Sequence, residues 1–465
     1  MYIEQLYTSC LAEAAYYIES DGEAAIIDPM REVSAYLELA KSRGAVIKYV
    51  FETHFHADFV SGHLDLAAKT GAKIVYGPTA SPSYSIICAN DGQEFPIGRV
   101  TLKVLHTPGH TLESSCFLLL DERHHPHSIF TGDTLFVGEV GRPDLAVKEN
   151  LSKFELAGML YESIESKLKP LPNYVVVYPG HGAGSACGKS IGKETFSTIG
   201  IQKHQNYALK ARSKEDFVKL VTEGLNDPPA YFFMDAVINR KGYESIDAVI
   251  RRNNRPITVA ELKTKIENQN IIVIDCRTAE AFGAGFIPGS INIGLDGSFA
   301  MMAGGLLNPE TPLILVTDHN KNEEAILRLS RIGYENVIGY LEGGMEAWIK
   351  AGEKIDTIPS VDAVLFSHNY RYTDNMVLDV RYPDEWVPGF VAGAKLIELF
   401  KLEQKVKELD REKNIYIYCA GGYRSMVAAS ILRRLGFKNI FNISGGMKKI
   451  QKTPIPIRQL TAQLN

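Results

Sequence analysis

The stretch Val50-Phe51-Glu52-Thr53-His54-Phe55-His56-Ala57-Asp58-Phe59 begins as an apolar strand and ends in a run of metal-ligand side chains. In an extended segment, positions i and i+2 face the same way. His54 and His56 are therefore placed to address one ion, with Asp58 nearby. Three more ligand types close apolar runs farther along: His110 in Thr107-Pro108-Gly109-His110, Asp133 in Phe130-Thr131-Gly132-Asp133, and His181 in Tyr178-Pro179-Gly180-His181-Gly182. Each of these follows a glycine, where the backbone can turn and aim a side chain inward. Any one of the six alone reads as a structural histidine or a turn aspartate. All six, each at a strand end, read as a metal centre. Imidazole and carboxylate ligands suit zinc or iron and argue against calcium or magnesium.

Around this motif, apolar strand-like runs at 24–27, 47–51, 74–76, 100–104, 116–120 and 174–178 alternate with helical stretches at 31–43 and 152–168. This mixture predicts a layered α/β arrangement. The pattern breaks at Asn226-Asp227-Pro228-Pro229, and the polar stretch 239–255 reads as a linker.

Beyond it the chain repeats itself. Ile274-Asp275-Cys276-Arg277 is echoed by Leu378-Asp379-Val380-Arg381, and Gly285-Phe286-Ile287-Pro288-Gly289 by Gly389-Phe390-Val391-Ala392-Gly393. Gly343-Gly344-Met345 is echoed by Gly445-Gly446-Met447. A repeat of about a hundred residues is a duplicated domain, here a small doubly wound sheet, and not a solenoid unit. The expected domains are 1–245, 255–355 and 360–460.

Composition narrows the function. Hydrophobic residues make up 45% and charged residues 23%, as in ordinary globular protein. With a net charge of −5 and no basic block, nucleic acid is not an expected partner. No apolar run suits a membrane span, and Met1-Tyr2-Ile3-Glu4-Gln5 does not read as a signal peptide. Six cysteines without paired spacing read as reduced cytoplasmic protein. Cys10, Cys88 and Cys116, flanked by apolar or small residues, are expected to be packed. His124-His125-Pro126-His127 reads as a solvated hairpin loop.

The order His-x-His-x-Asp, Pro-Gly-His, Thr-Gly-Asp and late Gly-His resembles the metallo-β-lactamase superfamily over about the first 240 residues, which implies an αββα sandwich. Within it, Leu6-Tyr7-Thr8-Ser9-Cys10-Leu11-Ala12-Glu13, Gly141-Arg142-Pro143-Asp144-Leu145 and Gly182-Ala183-Gly184-Ser185-Ala186-Cys187-Gly188-Lys189 resemble the persulfide dioxygenase branch. That resemblance implies one Fe(2+) per chain, held by His54, His110 and Asp133. It also implies oxidation of a thiol persulfide by O2 to sulfite. The superfamily motif usually continues with a histidine that serves a second metal; here the position is Phe59. Two histidines and one carboxylate with open positions form the facial triad of non-haem iron oxygenases. His56, Asp58 and His181 would then orient ligands or bound water. Arg142 and Asp144 either brace the Asp133 loop, meet an anionic substrate, or form a surface ion pair. Cys187 and Lys189 are candidates for the substrate entrance; Cys187 either carries a persulfide or fills the loop.

In the last repeat, the apolar strand 414–418 runs into Cys419-Ala420-Gly421-Gly422-Tyr423-Arg424-Ser425 and then a helical run. A strand, a tight loop and a helix start surround Cys419 with backbone N–H groups. With Arg424, this is a cradle for an anionic sulfur or a persulfide. Ala420, Gly421, Gly422, Tyr423 and Ser425 form its wall. The segment resembles the rhodanese family over about residues 360–450, with Cys419 and Arg424 catalytic and Asp379, Arg381 and Glu385 scaffold. In the earlier copy, Thr317 and Asn322 fall at the cysteine and arginine positions, and Thr317-Asp318-His319-Asn320-Lys321-Asn322 has no glycine. That copy reads as a degenerate rhodanese.

The resemblances together imply a dioxygenase coupled to a sulfurtransferase that makes or consumes thiosulfate, in a homo-oligomer. Two alternatives stand beside this: a zinc thioester hydrolase of the glyoxalase II kind, and a non-enzymatic carrier of sulfane sulfur on Cys419.

Overall fold

The computed structural model describes residues 1–146, 151–225, 227–370 and 375–460; Asn226, at the expected pattern break, lies outside them. The chain divides into two compact units. The first is Met1–Val249 with Leu329–Tyr334; the second takes Ile250–Arg328 and continues from Glu335.

The first unit contains two six-stranded sheets. One runs in chain order from Tyr2–Thr8 through Glu13–Ser20, Glu23–Ile27, Val46–Glu52 and Lys73–Tyr76 to Ile87–Cys88. The other is built from Glu94–Ile97, Val100–His106, Ser115–Leu120, Pro126–Gly132, Val176–Pro179 and Ser197–Thr198. Alternate residues of both sheets, among them Tyr16, Ile27, Phe51, Leu102, Phe117 and Phe130, form one buried layer between them. The outer face of the first sheet carries the helix Ser34–Arg43 through Tyr36 and Ala40. The outer face of the second carries Lys153–Ser163 and Lys214–Thr222 through Leu160 and Phe217. This is the expected αββα sandwich.

The expected linker is instead helical: Phe232–Lys241 and Ile246–Asn253. Polarity misled here because Asn239, polar in sequence, is fully buried and spends its amide on backbone groups of the metal-motif loop. Of the three cysteines expected to be packed, Cys116 is buried, Cys10 is partly so and Cys88 is exposed. Cys88 ends a two-residue edge strand, with no further strand to cover it.

The second unit holds two five-stranded sheets whose strand pairs are all parallel. The central strands are Leu313–Val316 in the first copy and Asn414–Tyr418 in the second. Helices cover the sheets; Tyr423–Arg434, buried along most of its length, packs beside Asn414–Tyr418.

Candidate metal centre and thiol loop

Strand ends build the metal centre. Phe51 pairs with Ile27 and Val75 inside the first sheet, so the chain leaves the layer directly into Thr53-His54-Phe55-His56. In the second sheet Gly132 lies beside Pro179, and the Gly180 N–H donates to Gly132 O at 2.9 Å. Asp133 and His181 therefore emerge side by side. Gly132 sits at φ +48°, and a Cβ there would lie 2.4 Å from Thr53 Oγ1. Glycine is what lets the two strand ends approach.

His54, His110 and Asp133 are all buried and offer ligand atoms within 4.8 Å of one another. Their hydrogen bonds fix the tautomers. His110 Nδ1 is 2.9 Å from Arg142 O, which can only accept, so the proton sits on Nδ1 and Nε2 keeps its lone pair. Thr53 Oγ1 donates its single proton to Asp28 Oδ2 at 2.8 Å, so at 3.0 Å from His54 Nδ1 it accepts. His54 Nε2 is thereby also a bare lone pair. Burial, then the nearby His56, His110 and His181, hold the His54 pKa well below its usual value, keeping it neutral. His54 Nε2, His110 Nε2 and both oxygens of Asp133 have no hydrogen-bond partner. Buried lone pairs converging without a proton between them are what a metal ion satisfies. The residues present fit the implied metal.

His56 does not join them. Its Nε2 is 3.0 Å from Asp28 Oδ1 and 3.4 Å from Glu52 Oε2, deep in the interior. Burial opposes charge on this ring, but Asp28 and Glu52 outweigh it and raise the pKa well above the usual value. Asp58 and His181 lie on the other side of Asp133: His181 Nε2 is 3.3 Å from Asp58 Oδ2 and 3.5 Å from Asp133 Oδ1. Cys187 joins this pair, with Asp58, His181 and Cys187 offering ligand atoms within 4.8 Å of one another. Burial, then Asp58 and Asp133, push the Cys187 thiol well up. Arg142 is 5% exposed and grips Asp144 with two bonds of 2.6 and 2.8 Å. It also donates to Ala186 O at 3.1 Å, and its own N–H reaches Cys187 O. It thus ties the His110 loop to the Cys187 loop. Lys189 is exposed and donates to Leu220 O at 2.6 Å.

Three supports were not singled out from sequence. Asp28, after Ile26-Ile27, accepts from Thr53 N and Oγ1 and fixes the start of the motif loop. Glu52, the last residue of its strand, accepts from Ser61 Oγ. Asn239 donates to His56 O and Phe59 O at 2.8 and 2.7 Å and accepts from Ser61 N at 2.9 Å. A strand-end aspartate before proline was the available signal for Asp28; no local signal marked Asn239.

In the second unit Cys419 is 2% exposed. Gly422 N–H donates to its sulfur at 3.1 Å, and Ser425 Oγ lies 3.6 Å away. The helix that starts at Tyr423 directs its N-terminus at the same loop. Arg424 does not bond the sulfur; it makes a two-pronged pair with Glu385 at 2.6 and 2.8 Å. Tyr423 reaches into the first copy, where its hydroxyl donates to Gly294 O at 2.8 Å. Its ring fills the space a side chain on residue 297 would take: a Cβ on Gly297 would lie 2.5 Å from it.

The model of the metallo-beta-lactamase superfamily matches residues 9–181, and that of the rhodanese-like domain matches 258–351 and 366–453. The hydroxyacylglutathione hydrolase of Rhizobium johnstonii is 31% identical over 232 residues, which are 44% of this chain and 84% of that protein. A probable hydroxyacylglutathione hydrolase of Schizosaccharomyces pombe is 33% identical over 168 residues, 35% of this chain and 60% of that one. The chain spans 53–60% of the length of several such curated relatives. The crystal structure of a metallo-beta-lactamase from Staphylococcus aureus is 34% identical, with a TM-score of 0.64, covering 73% of this chain and 98% of that one. With these matches laid over the sandwich and its strand-end ligands, the chain belongs to the metallo-beta-lactamase superfamily. Its second unit carries two rhodanese domains, of which the later holds a cysteine in the loop and the earlier a threonine. Among the described residues no helix is long and apolar enough to cross a membrane.

Proposed function

We propose that the first unit is an iron-dependent persulfide dioxygenase and that Cys419 is the sulfur carrier of a coupled sulfurtransferase. One observation carries the first half: two histidine Nε2 lone pairs and a carboxylate meet in a buried site, while Phe59 contributes no ligand. His54, His110 and Asp133 would hold the ion. Ferrous iron there would relieve the spin barrier between ground-state O2 and a singlet persulfide, the four electrons that reduce O2 coming from the persulfide's outer sulfur.

The protein's own contribution is positional. Thr53 and Arg142 O lock the two imidazoles in the tautomer that presents Nε2. Arg142 and Asn239 fix the surrounding loops, and burial excludes bulk water. The overall change is R–S–SH + O2 + H2O → R–SH + H2SO3. Cys419 then takes sulfur from a second persulfide, releasing R–SH, with the Gly422 N–H facing the attacking sulfur. Transfer follows as Cys419–S–SH + SO3²⁻ → Cys419–SH + S2O3²⁻.

A second reading has support in the relatives' names: a zinc hydrolase of glutathione thioesters. Oxygen uptake by the anaerobically iron-loaded chain separates the two. Thiol persulfide should drive uptake and sulfite formation, and Asp133→Ala should abolish both. Full iron occupancy with no uptake, and thioester cleavage by the zinc-loaded chain, would establish the hydrolase instead.

A further inference from the structure

Ser425 has one hydroxyl proton and several acceptors within reach of it. Its Oγ is 2.6 Å from Asn442 Oδ1, 3.1 Å from Gly422 O and 3.6 Å from Cys419 Sγ. Cys419, Ser425 and Asn442 are 2%, 0% and 3% exposed, so bulk water does not compete for the proton. The asparagine is held from its other side as well. Its Nδ2 donates to Ser360 Oγ at 3.3 Å, and its backbone N–H to Pro359 O at 2.9 Å. The distances also say which amide atom faces Ser425. A contact of 2.6 Å suits O–H···O, whereas N–H···O contacts centre near ~2.9 Å. Asn442 therefore presents its oxygen, and Ser425 gives its proton to the amide. The Cys419 sulfur is left with the Gly422 N–H at 3.1 Å.

We propose that Asn442 is a positioning residue of the Cys419 loop, which turns the Ser425 hydroxyl away from the sulfur. The consequence is chemical. A hydroxyl bonded to a thiolate stabilises it, and a stabilised thiolate is a weaker nucleophile. With Ser425 drawn off, the sulfur meets a persulfide with more of its electron density free. The earlier copy lacks the device. There Tyr340 takes the strand position of Asn442, pairing with Leu315 as Asn442 pairs with Ile417, and Glu323 stands in the place of Ser425. Within this chain the arrangement accompanies the cysteine. The charged groups on the elements around the loop are committed elsewhere: Arg424 to Glu385, and Arg381 to Asp379. Lys448 and Lys449 are exposed on the helix whose Met447 N–H donates to Cys419 O, and Asp296 of the earlier copy lies near Tyr423. Asn442 carries no charge, so replacing it leaves all of these fields as they are.

The use made of the sulfur rests on the sulfurtransferase reading, but the test does not. It is the pH dependence of Cys419 alkylation by iodoacetamide in the full-length chain, followed by mass spectrometry of the Cys419 peptide, and it needs no sulfur transfer. Asn442→Leu frees the Ser425 hydroxyl for the sulfur. The alkylation midpoint should then fall by about half a pH unit or more, and the plateau rate should drop roughly 1.5–2-fold. Ser425→Ala removes a hydroxyl that was not bonding the sulfur, and should leave the midpoint where it is. The double variant should return to the same midpoint, because the effect of Asn442→Leu passes through Ser425. A purely structural role for Asn442 would cost stability without moving the midpoint. A midpoint that does not fall in Asn442→Leu, or that stays low in the double variant, overturns the proposal. If Asn442→Leu does not fold, Ser425→Ala decides: a midpoint raised by that change means that Ser425 already bonds the sulfur, and Asn442 does not hold it away.

Discussion

The two rhodanese copies keep the same scaffold and differ in the loop that does chemistry. In the first, Arg277 holds Asp275 through Nε at 2.9 Å and Nη2 at 2.6 Å, and reaches Gly285 O at 2.8 Å. In the second, Arg381 holds Asp379 at 3.0 and 2.7 Å and reaches Gly389 O at 2.8 Å. The buried pair is thus reproduced to within a tenth of an ångström. The loop is not. Cys419, Glu385 and Arg424 have Thr317, Ala281 and Asn322 as counterparts. Glu385 and Arg424 pair with each other, and the first copy lacks both. Both members of the charged pair are missing together, and either one alone would be a partly buried charge without its partner. The Asp–Arg pair persists because it serves the fold.

The largest expected difference between the copies is chemical. Cys419→Ser should lower thiosulfate sulfurtransferase activity by ~10³-fold or more, the usual scale for removing a nucleophile. Adding Thr317→Cys to that variant should restore nothing, since residues 318–322 supply neither glycines nor an arginine. Activity regained through Thr317→Cys would break the comparison. Next comes the shared scaffold. Asp275→Ala and Asp379→Ala should each destabilise their own copy by ~3–5 kcal/mol, the cost of stranding a buried charge. The two tryptophans, Trp348 and Trp386, fall one in each copy, so urea unfolding followed in single Trp→Phe variants reads them separately. Unequal costs would mean that the two pairs do different work.

The smallest effect depends on pH. Burial alone would raise the Glu385 carboxyl, but Arg424 and the Tyr382 N–H outweigh it and hold it below the usual value. A depressed carboxylate stabilises the fold above its unfolded pKa, about 4.3 for Glu. That stability fades as the pH falls below this value and is gone beneath the folded pKa. Acidification from pH 5 should therefore weaken the copy reported by Trp386, and Glu385→Gln should remove this increment. An identical acid response in Glu385→Gln would show that the pair contributes nothing.

Much of this was legible in the sequence, for identifiable reasons. The sandwich and the triad were readable because ligands at strand ends leave a linear trace: apolar run, glycine, histidine or aspartate. The duplication was readable from the echoed motifs. Facing was not. The i, i+2 rule puts His54 and His56 on one side only while the chain stays extended, and the loop turns His56 to Asp28 and Glu52. Cys187 was noticed as a loop residue, but its nearness to Asp58 depends on how the loop folds back. The supposed linker misled because Asn239 is polar for the sake of a neighbouring loop's backbone. Arg424 was expected at the sulfur, and its pairing with Glu385 spans 39 residues.

The reach of Tyr423 into the earlier copy bears on how such a duplicate ages. A duplicated module without the loop cysteine of its sibling is ordinarily limited in its changes by the need to fold. Here one stretch of it is still answerable to its sibling. Gly294 offers the carbonyl that receives the tyrosine hydroxyl, and Gly297 leaves the room its ring occupies. Any side chain at 297 would press on the residue four places after Cys419. The copy that carries Thr317 therefore inherits a constraint from the one that carries Cys419, and its drift should be slowest in the stretch that faces Tyr423.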